Sequence, residues 1–269
     1  MYSQPPYAAV IVKRENRGAS MNIYEKAAQM IKKSRSTIVL TGAGVSTESG
    51  IPDFRSPGSG LWEKVDPMEA LSSRVLYNAP KKFYSLGFKI ITSMTDALPN
   101  KVHYLIMKLE ELQLIDLVVT QNIDGLHHKA GSRNVFEVHG TTRTCSCDNC
   151  SAEYDTALIE KKVMEGEIPP KCRCGGIIRP DVVLFGDMLP NCFYESIKRV
   201  EEAELLVVLG SSLSVSPVNH LADICKKLII INIGETCYDK KSDIIIRENI
   251  STALEKIMEY VDDRKYEQI

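Results

Sequence analysis

An α/β fold is predicted, with a parallel sheet covered on both faces and a smaller inserted lobe. Three observations predict it. Short apolar runs at Thr37–Leu40, Leu117–Thr120, Val182–Phe185, Leu205–Leu209 and Leu228–Asn232 alternate with segments of helical period. A glycine-rich turn, Thr41-Gly-Ala-Gly-Val-Ser46, follows the first run directly, and four cysteines at ligand spacing sit in a stretch that breaks the alternation. Continuous rather than alternating apolar runs belong to strands buried on two faces, which is the habit of parallel sheets flanked by helices.

The elements follow in order. Residues 1–20 carry Pro5, Pro6, Lys13, Arg14 and Arg17 with one acid, Glu15, and are expected to be a disordered extension, with Met21 as an alternative start. Asn22 is placed to cap a helix whose apolar positions Ile23, Ala27, Met30 and Ile31 share a face. A second helix presents Leu105, Ile106, Leu109 and Leu112 before the strand at Leu117, and Leu254, Ile257, Met258 and Val261 mark a closing amphipathic helix. Pro67–Pro99, mostly helical in pattern, and Thr141–Ile177, which holds the cysteines, interrupt the alternation as insertions.

The chain has 269 residues, 44% hydrophobic and 25% charged, enough for one large and one small unit. A formal net charge of -2 carries no basic excess, so neither nucleic acid nor an acidic membrane is an expected partner. No apolar run approaches the roughly 20 residues of a membrane helix, and no export signal is recognisable. Eight cysteines, four of them clustered, fit metal binding in a reducing compartment, so the cytoplasm is the expected location; a monomer is expected as well.

Several groups carry candidate chemistry. Gly42 and Gly44 follow a strand, where absent side chains let backbone N–H groups approach a phosphate, and Ser46 and Thr47 add hydroxyls; a tight strand-to-helix connection is the plain alternative. Thr47 stands where the dehydrogenase fingerprint has its third glycine, and no ribose-binding acid is evident, which disfavours hydride transfer. Asp53, Phe54 and Arg55 place a carboxylate, a ring and a guanidinium just beyond the turn. Gln121, Asn122 and Asp124 begin where a buried strand stops, the edge at which open parallel sheets bind ligands, although an Asx turn reads the same way. His139 ends another short strand, where a histidine can take a proton from a sugar hydroxyl or simply be a satisfied structural group. His103, His127, His128 and His220 are read as structural or exposed.

Cys147 and Cys150, a spacer of about twenty residues, then Cys172 and Cys174 supply four thiolates for a closed tetrahedral zinc, which is structural because no coordination position stays open. The second pair is C-x-C, and Cys145 is a competing ligand. Mixed charge around the knuckle argues against a nucleic-acid module.

Together, Gly42-Ala-Gly-Val-Ser46, Gly50-Ile-Pro-Asp-Phe-Arg55, Thr120-Gln-Asn-Ile-Asp124, His139-Gly140, the knuckle, Phe185-Gly186 and Gly210-Ser-Ser212 closely resemble the sirtuins, NAD-dependent protein lysine deacylases. The resemblance implies a Rossmann-like domain over residues 21–66, 100–140 and 178–269, and a small domain from a helical module, 67–99, and a zinc module, 141–177. It implies that Ala43, Ser46 and Thr47 line the pyrophosphate of NAD+ and that Phe54 and Arg55 close over the nicotinamide end. Gln121 and Asn122 would contact the ribose, Ile123 and Asp124 the carboxamide, and Gly210, Ser211, Ser212, Asn232 and Ile233 the adenosine half.

In the chemistry the resemblance implies, the acyl oxygen of the substrate attacks the nicotinamide ribose, nicotinamide leaves, and an alkylimidate remains on the sugar. His139 is the implied general base, with Asn122 beside the reacting carbon; lysine and acyl-ADP-ribose are released, so NAD+ is consumed. Val183, Phe185 and Gly186 belong to the segment implied to pair with an acyl-lysine peptide by β-augmentation. No arginine stands three residues after Tyr84, which implies neutral acyl groups rather than succinyl or malonyl, and Phe83, Phe88, Ile91 and Met94 are candidates to admit longer chains, with simple packing of the helical module as the plain alternative. Mono-ADP-ribosyl transfer and a non-catalytic NAD-binding regulator are the alternatives.

Overall fold

A computed structural model describes residues 21–53 and 66–261. The disordered extension expected over residues 1–20, and Phe54 and Arg55, therefore lie outside the described residues.

Helix α1 spans Ile23–Lys33 and begins where Asn22 accepts a hydrogen bond from the Tyr24 N–H at 3.2 Å. Glu25 in its first turn and Lys32 and Lys33 in its last complement the helix dipole, and Ala27, Ala28 and Ile31 face the core. It feeds β1, Thr37–Thr41, all of whose residues are buried. The helical insertion follows as α2 (Pro67–Ala70), α3 (Ser73–Asn78), α4 (Pro80–Lys82), a wide turn at Phe83–Gly87 and α5 (Phe88–Thr92). Helix α6, Lys101–Glu111, starts with a reciprocal cap: the Asn100 side chain accepts from Val102 N at 2.9 Å, while the Asn100 N–H donates to His103 Nδ1 at 3.3 Å.

Strand β2 (Leu117–Thr120), helix α7 (Leu126–Ala130) and β3 (Val135–Glu137) then lead into the zinc module, β4 (Gly140–Cys147), β5 (Glu153–Asp155), α8 (Thr156–Met164) and β6 (Ile178–Val182). The chain returns through α9 (Asn191–Glu202), β7 (Leu205–Leu209), α10 (Leu221–Ile224), β8 (Leu228–Ile231), β9 (Ile244–Ile246) and α11 (Ile250–Val261).

Six strands form one parallel sheet in the order β3-β2-β1-β7-β8-β9. Alternate strand residues enter opposite cores. Val39, Val118, Val207 and Ile229 pack under α1, α6 and α11. Ile38, Leu40, Val119, Leu206 and Val208 pack under α9 and α10. A second sheet, β5-β4-β6, is antiparallel. A third core joins Leu76, Phe83, Tyr84, Phe88 and Ile91 of the helical insertion to Cys145, Ile159, Ile178 and Leu184 of the zinc module, so the two insertions share one interior.

One expectation is corrected. Val182–Phe185 is not a strand of the parallel sheet: it is the end of β6 and the extended chain beyond it, with Val182 opposite Gly140 in the antiparallel sheet. A four-residue apolar run has too little length for its period to separate these cases. The sixth parallel strand, β9, is three isoleucines between Asp243 and Arg247 and was too short to stand out. Phe83, Phe88, Ile91 and Met94 are buried, the first three in the small-lobe core and Met94 against Ile51 and Leu126. Among the described residues no helix is long and apolar enough to cross a membrane.

Candidate functional site

The sheet order reverses between β1 and β7, and the loops leaving β1, β2, β3, β7 and β8 gather at the carboxyl ends of the strands, where such sheets bind ligands. These loops bring together Gly42–Thr47, Gln121–Asp124, His139, Gly210–Ser212 and Asn232–Ile233.

The glycine turn is narrower than its sequence suggested. Gly42 N–H donates to Leu209 O and Gly44 N–H to Gly210 O, at 3.0 and 2.9 Å. A Cβ on Gly44 would stand 2.7 Å from the Gly210 Cα, so the close approach these glycines permit is to the neighbouring turn after β7. Two single 3-10 turns, Ala43–Val45 and Thr47–Ser49, follow in place of a full α-helix. Ala43 is half-buried, and Thr47 is exposed with its hydroxyl on Gly44 O at 3.1 Å.

Beneath this turn lies a buried polar network. Ser46 Oγ donates to Asp124 Oδ2 at 2.7 Å and accepts from Asn122 Nδ2 at 3.0 Å, while the same amide reaches Gly42 O at 3.2 Å. Asp124 also accepts from the Leu126 N–H at 2.9 Å. Asn122 and Asp124 thus hold fixed orientations with every contact charge-assisted or hydrogen-bonded. Gln121 Nε2 donates to Ser211 Oγ at 2.9 Å, joining the loops after β2 and β7. Ile123 is half-buried, Ser212 and Ile233 are exposed, and Asn232 Nδ2 donates to Gly234 O. Asp53 stands half-buried at the edge of the described residues.

His139 Nδ1 lies 3.0 Å from Gln121 O. A carbonyl oxygen only accepts, so Nδ1 carries the proton and Nε2 keeps the lone pair. Burial pushes the ring below the usual histidine range, partly opposed by that hydrogen bond, so the neutral base form dominates at neutral pH. Val183 N–H donates to His139 O at 2.9 Å, which seats the Val183–Gly186 segment against the histidine. There Phe185 is 42% exposed and Gly186 has a φ of 95°.

Sequence reasoning missed the groups behind this surface. Asn100 Nδ2 donates to Val45 O at 2.8 Å and to Ser49 Oγ at 3.0 Å, tying α6 to the glycine turn. Thr41 Oγ1 bonds Thr120 Oγ1 at 2.8 Å and His127 Nε2 at 3.0 Å, and the His103 and His127 rings stack edge-on at 5.0 Å. Their burial holds His103 at about 4 and His127 at about 3. Only Asn100, a cap residue after Pro99, left a readable signal.

In the small lobe the sulfurs of Cys147, Cys150, Cys172 and Cys174 all lie within 4.8 Å of one another, with Cys147–Cys174, Cys150–Cys172 and Cys150–Cys174 at 3.4, 3.6 and 3.4 Å. A tetrahedral zinc with bonds of about 2.3 Å has sulfur–sulfur edges of about 3.8 Å, so the four fit that ion. All eight cysteines are free. Tyr154 Oη donates to Cys172 Sγ at 3.0 Å and Asn149 Nδ2 to Cys174 Sγ at 3.5 Å. The Gly176 and Asn149 donors bring the Cys174 thiol down to about 6, which favours the ligating thiolate. Cys145 bonds Thr156 Oγ1 instead, and burial pushes its thiol up to about 12.

Comparison with known proteins matches this geometry. The family model described as Sir2 family covers residues 42–217. NAD-dependent protein deacetylase 2 of Caldanaerobacter subterraneus subsp. tengcongensis is 56% identical over 239 residues, 88% of this chain and 96% of that protein. The NAD-dependent protein deacetylase of Saccharolobus solfataricus is 45% identical over 243 residues, 89% and 97% of the two chains. Among solved structures, Sir2 with deacetylated p53 peptide and 3'-O-acetyl ADP ribose is 38% identical with a TM-score of 0.83, covering 87% of this chain and 97% of that one. Sir2 with p53 peptide and NAD+ is 37% identical with a TM-score of 0.80, covering 89% and 98%. The chain belongs to the Sir2 family.

Proposed function

We infer that this protein is an NAD+-dependent protein-lysine deacetylase, which transfers the acyl group of acyl-lysine to ADP-ribose and releases nicotinamide and O-acyl-ADP-ribose. The carrying observation is His139: a neutral imidazole whose Nδ1 is committed to Gln121 O, beside the buried Asn122–Ser46–Asp124 network. NAD+, as co-substrate, supplies a ribose carbon activated by its nicotinamide leaving group.

This chain's residues then have separate tasks. His139 Nε2 takes the proton of a ribose hydroxyl. Asn122 and Gln121 orient the ribose, Ile123 and Asp124 the carboxamide, and Gly42, Ala43, Gly44, Ser46 and Thr47 bound the pyrophosphate. Gly210, Ser211, Ser212, Asn232 and Ile233 hold the adenosine half, and Asp53, Phe54 and Arg55 serve the loop over the nicotinamide end. Val183, Phe185 and Gly186 receive the peptide. Cys147, Cys150, Cys172 and Cys174 hold a structural zinc that takes no part in the reaction. In this reading residues 21–66, 100–140 and 178–269 form the nucleotide-binding domain, apart from β6 (Ile178–Val182), which pairs with β4 in the sheet of the small domain made by 67–99 with 141–177. The protein acts as a monomer in the reducing cytoplasm, where the four thiolates stay available to zinc.

Neutral acyl groups suit the small lobe. Tyr84 is fully buried with its hydroxyl on Ile178 O at 2.6 Å. Three residues on stands Gly87, where a Cβ would lie 2.0 Å from Ala70 O, so no cationic side chain can occupy that position.

The test is incubation of the purified protein with an acetyl-lysine peptide, with and without NAD+, following peptide mass and nicotinamide. Equal, strictly NAD+-dependent amounts of deacetylated peptide and nicotinamide are expected; nicotinamide without deacetylation would replace this reading with ADP-ribosyl transfer or glycohydrolysis. His139→Ala should lower kcat by about 10²-fold or more with zinc content unchanged, and retained turnover would remove the histidine from the base role.

A further inference from the structure

One side chain of the zinc-bearing sheet reaches both elements that carry the site. Arg143, on β4, donates from Nη1 and Nη2 to the two carboxylate oxygens of Glu137, each at 2.7 Å. Glu137 ends β3, two residues before His139, and its side chain is 13% exposed against 41% for Arg143. The same guanidinium lies over Gly125, the residue after Asp124: a Cβ there would stand 2.7 Å from Nη1 and 3.5 Å from Cδ. Gly125 has a φ of 70°, a backbone conformation that favours glycine, and any side chain there would displace the Arg143 guanidinium. One residue before Arg143, the Thr142 N–H donates to Ile123 O at 2.9 Å, so β4 meets this turn through main chain as well.

We propose that Arg143 is a positioning residue: by gripping Glu137 and covering Gly125, it locks the end of β3 that leads into His139, and the Asp124 turn, to the zinc-bearing lobe. A two-bond fork tolerates little rotation, unlike the point charge of a lysine. The chain between the partners passes through Gly140, whose φ of 81° and contact with Asp181 O make it the junction of the two sheets. Movement of the small lobe about that junction either breaks the fork or carries the turn with it. The nicotinamide end of the NAD+ pocket is therefore shaped by how the small lobe is seated.

The kinetic part of this inference rests on the deacetylase reading; the structural part does not. In Arg143→Gln, KM for NAD+ should rise about tenfold, the effect of losing one charge-assisted pair, while KM for an acetyl-lysine peptide and the melting temperature of the zinc-loaded protein stay unchanged. Arg143→Lys should recover little, and adding Glu137→Gln to Arg143→Gln should cost nothing more, because the two act as one unit. Hydrogen exchange at the amides of 122–126 should quicken in the variant with or without substrates. An unchanged KM for NAD+ together with unchanged exchange would overturn the proposal. Parallel rises in both KM values with a lowered melting temperature would do so too, reducing Arg143 to a general brace. Should the wild-type protein show no deacetylation, the functional reading fails by itself, and the exchange comparison still decides the role of Arg143.

Discussion

Ser46 shows how much of this site depends on a single hydroxyl. It donates to Asp124 and accepts from Asn122, so one oxygen fixes both side chains, and all three residues are buried. Ser46→Ala leaves a carboxylate oxygen and an amide N–H short of a partner, at a cost of about 1–3 kcal/mol in stability. kcat should fall as well, because Asn122 is then held only by Gly42 O and Asp124 only by the Leu126 N–H. Urea unfolding and steady-state kinetics on one preparation check this; a variant that loses stability while keeping kcat would show that the network serves the fold alone. Threonine at this position is a poor substitute, since its methyl group would enter a closed interior. The histidines divide on the same physical ground. His139 keeps a lone pair at Nε2 because its other nitrogen is bonded to a carbonyl, whereas His127 spends Nε2 on Thr41 deep under the sheet edge.

At the scale of elements, what the sequence revealed is what periodicity can encode. β1, β2, β7 and β8 were legible because each is a run of four or five buried residues with at least three apolar ones in succession, and α1, α6 and α11 because their apolar residues recur on one side. The zinc ligands were legible from spacing, even though their second pair is compressed to C-x-C. Long-range polar geometry was not. His103 and His127 meet edge-on from α6 and α7, and Arg143 meets Glu137 across two sheets, without any local pattern announcing either contact. Val182–Phe185 misled because strand-like residues were serving the end of an antiparallel strand and the extended chain beyond it. Gly87 was likewise unremarkable in sequence, yet a Cβ there would meet Ala70 O at 2.0 Å and the Leu71 side chain at 3.2 Å. Gly87→Ala should therefore destabilise the helical insertion by about 1–3 kcal/mol or more, against the gain usual for that change within a helix. Faster hydrogen exchange across 67–94, with β7 and β8 still protected, is the expected readout; unaltered exchange would mean that α2 moves aside freely.

The whole molecule carries a buried pair of neutral histidines between its nucleotide-binding edge and its helical insertion, and acid should expose it. Desolvation is the leading cause for both: His103 is held at about 4, with Asp124 opposing the shift, and His127 at about 3, with His103 and His128 reinforcing it. An unfolded histidine titrates near 6.5, so between about pH 6.5 and those values the unfolded chain binds protons that the folded one refuses. Stability from this source is complete above about pH 6.5 and is lost as pH falls, at roughly 1.4 kcal/mol per pH unit for each group while both remain neutral in the fold. Protonation of the zinc thiolates adds its own acid sensitivity, so the test is a difference between proteins. His127→Gln removes one titrating group and keeps an amide able to donate to Thr41. The fall in unfolding free energy between pH 7 and pH 5, measured by urea denaturation, should be smaller in the variant than in the wild type. Identical slopes would place the acid sensitivity in the cysteine knuckle instead, and zinc release measured along the same titration would then follow the loss of structure step for step.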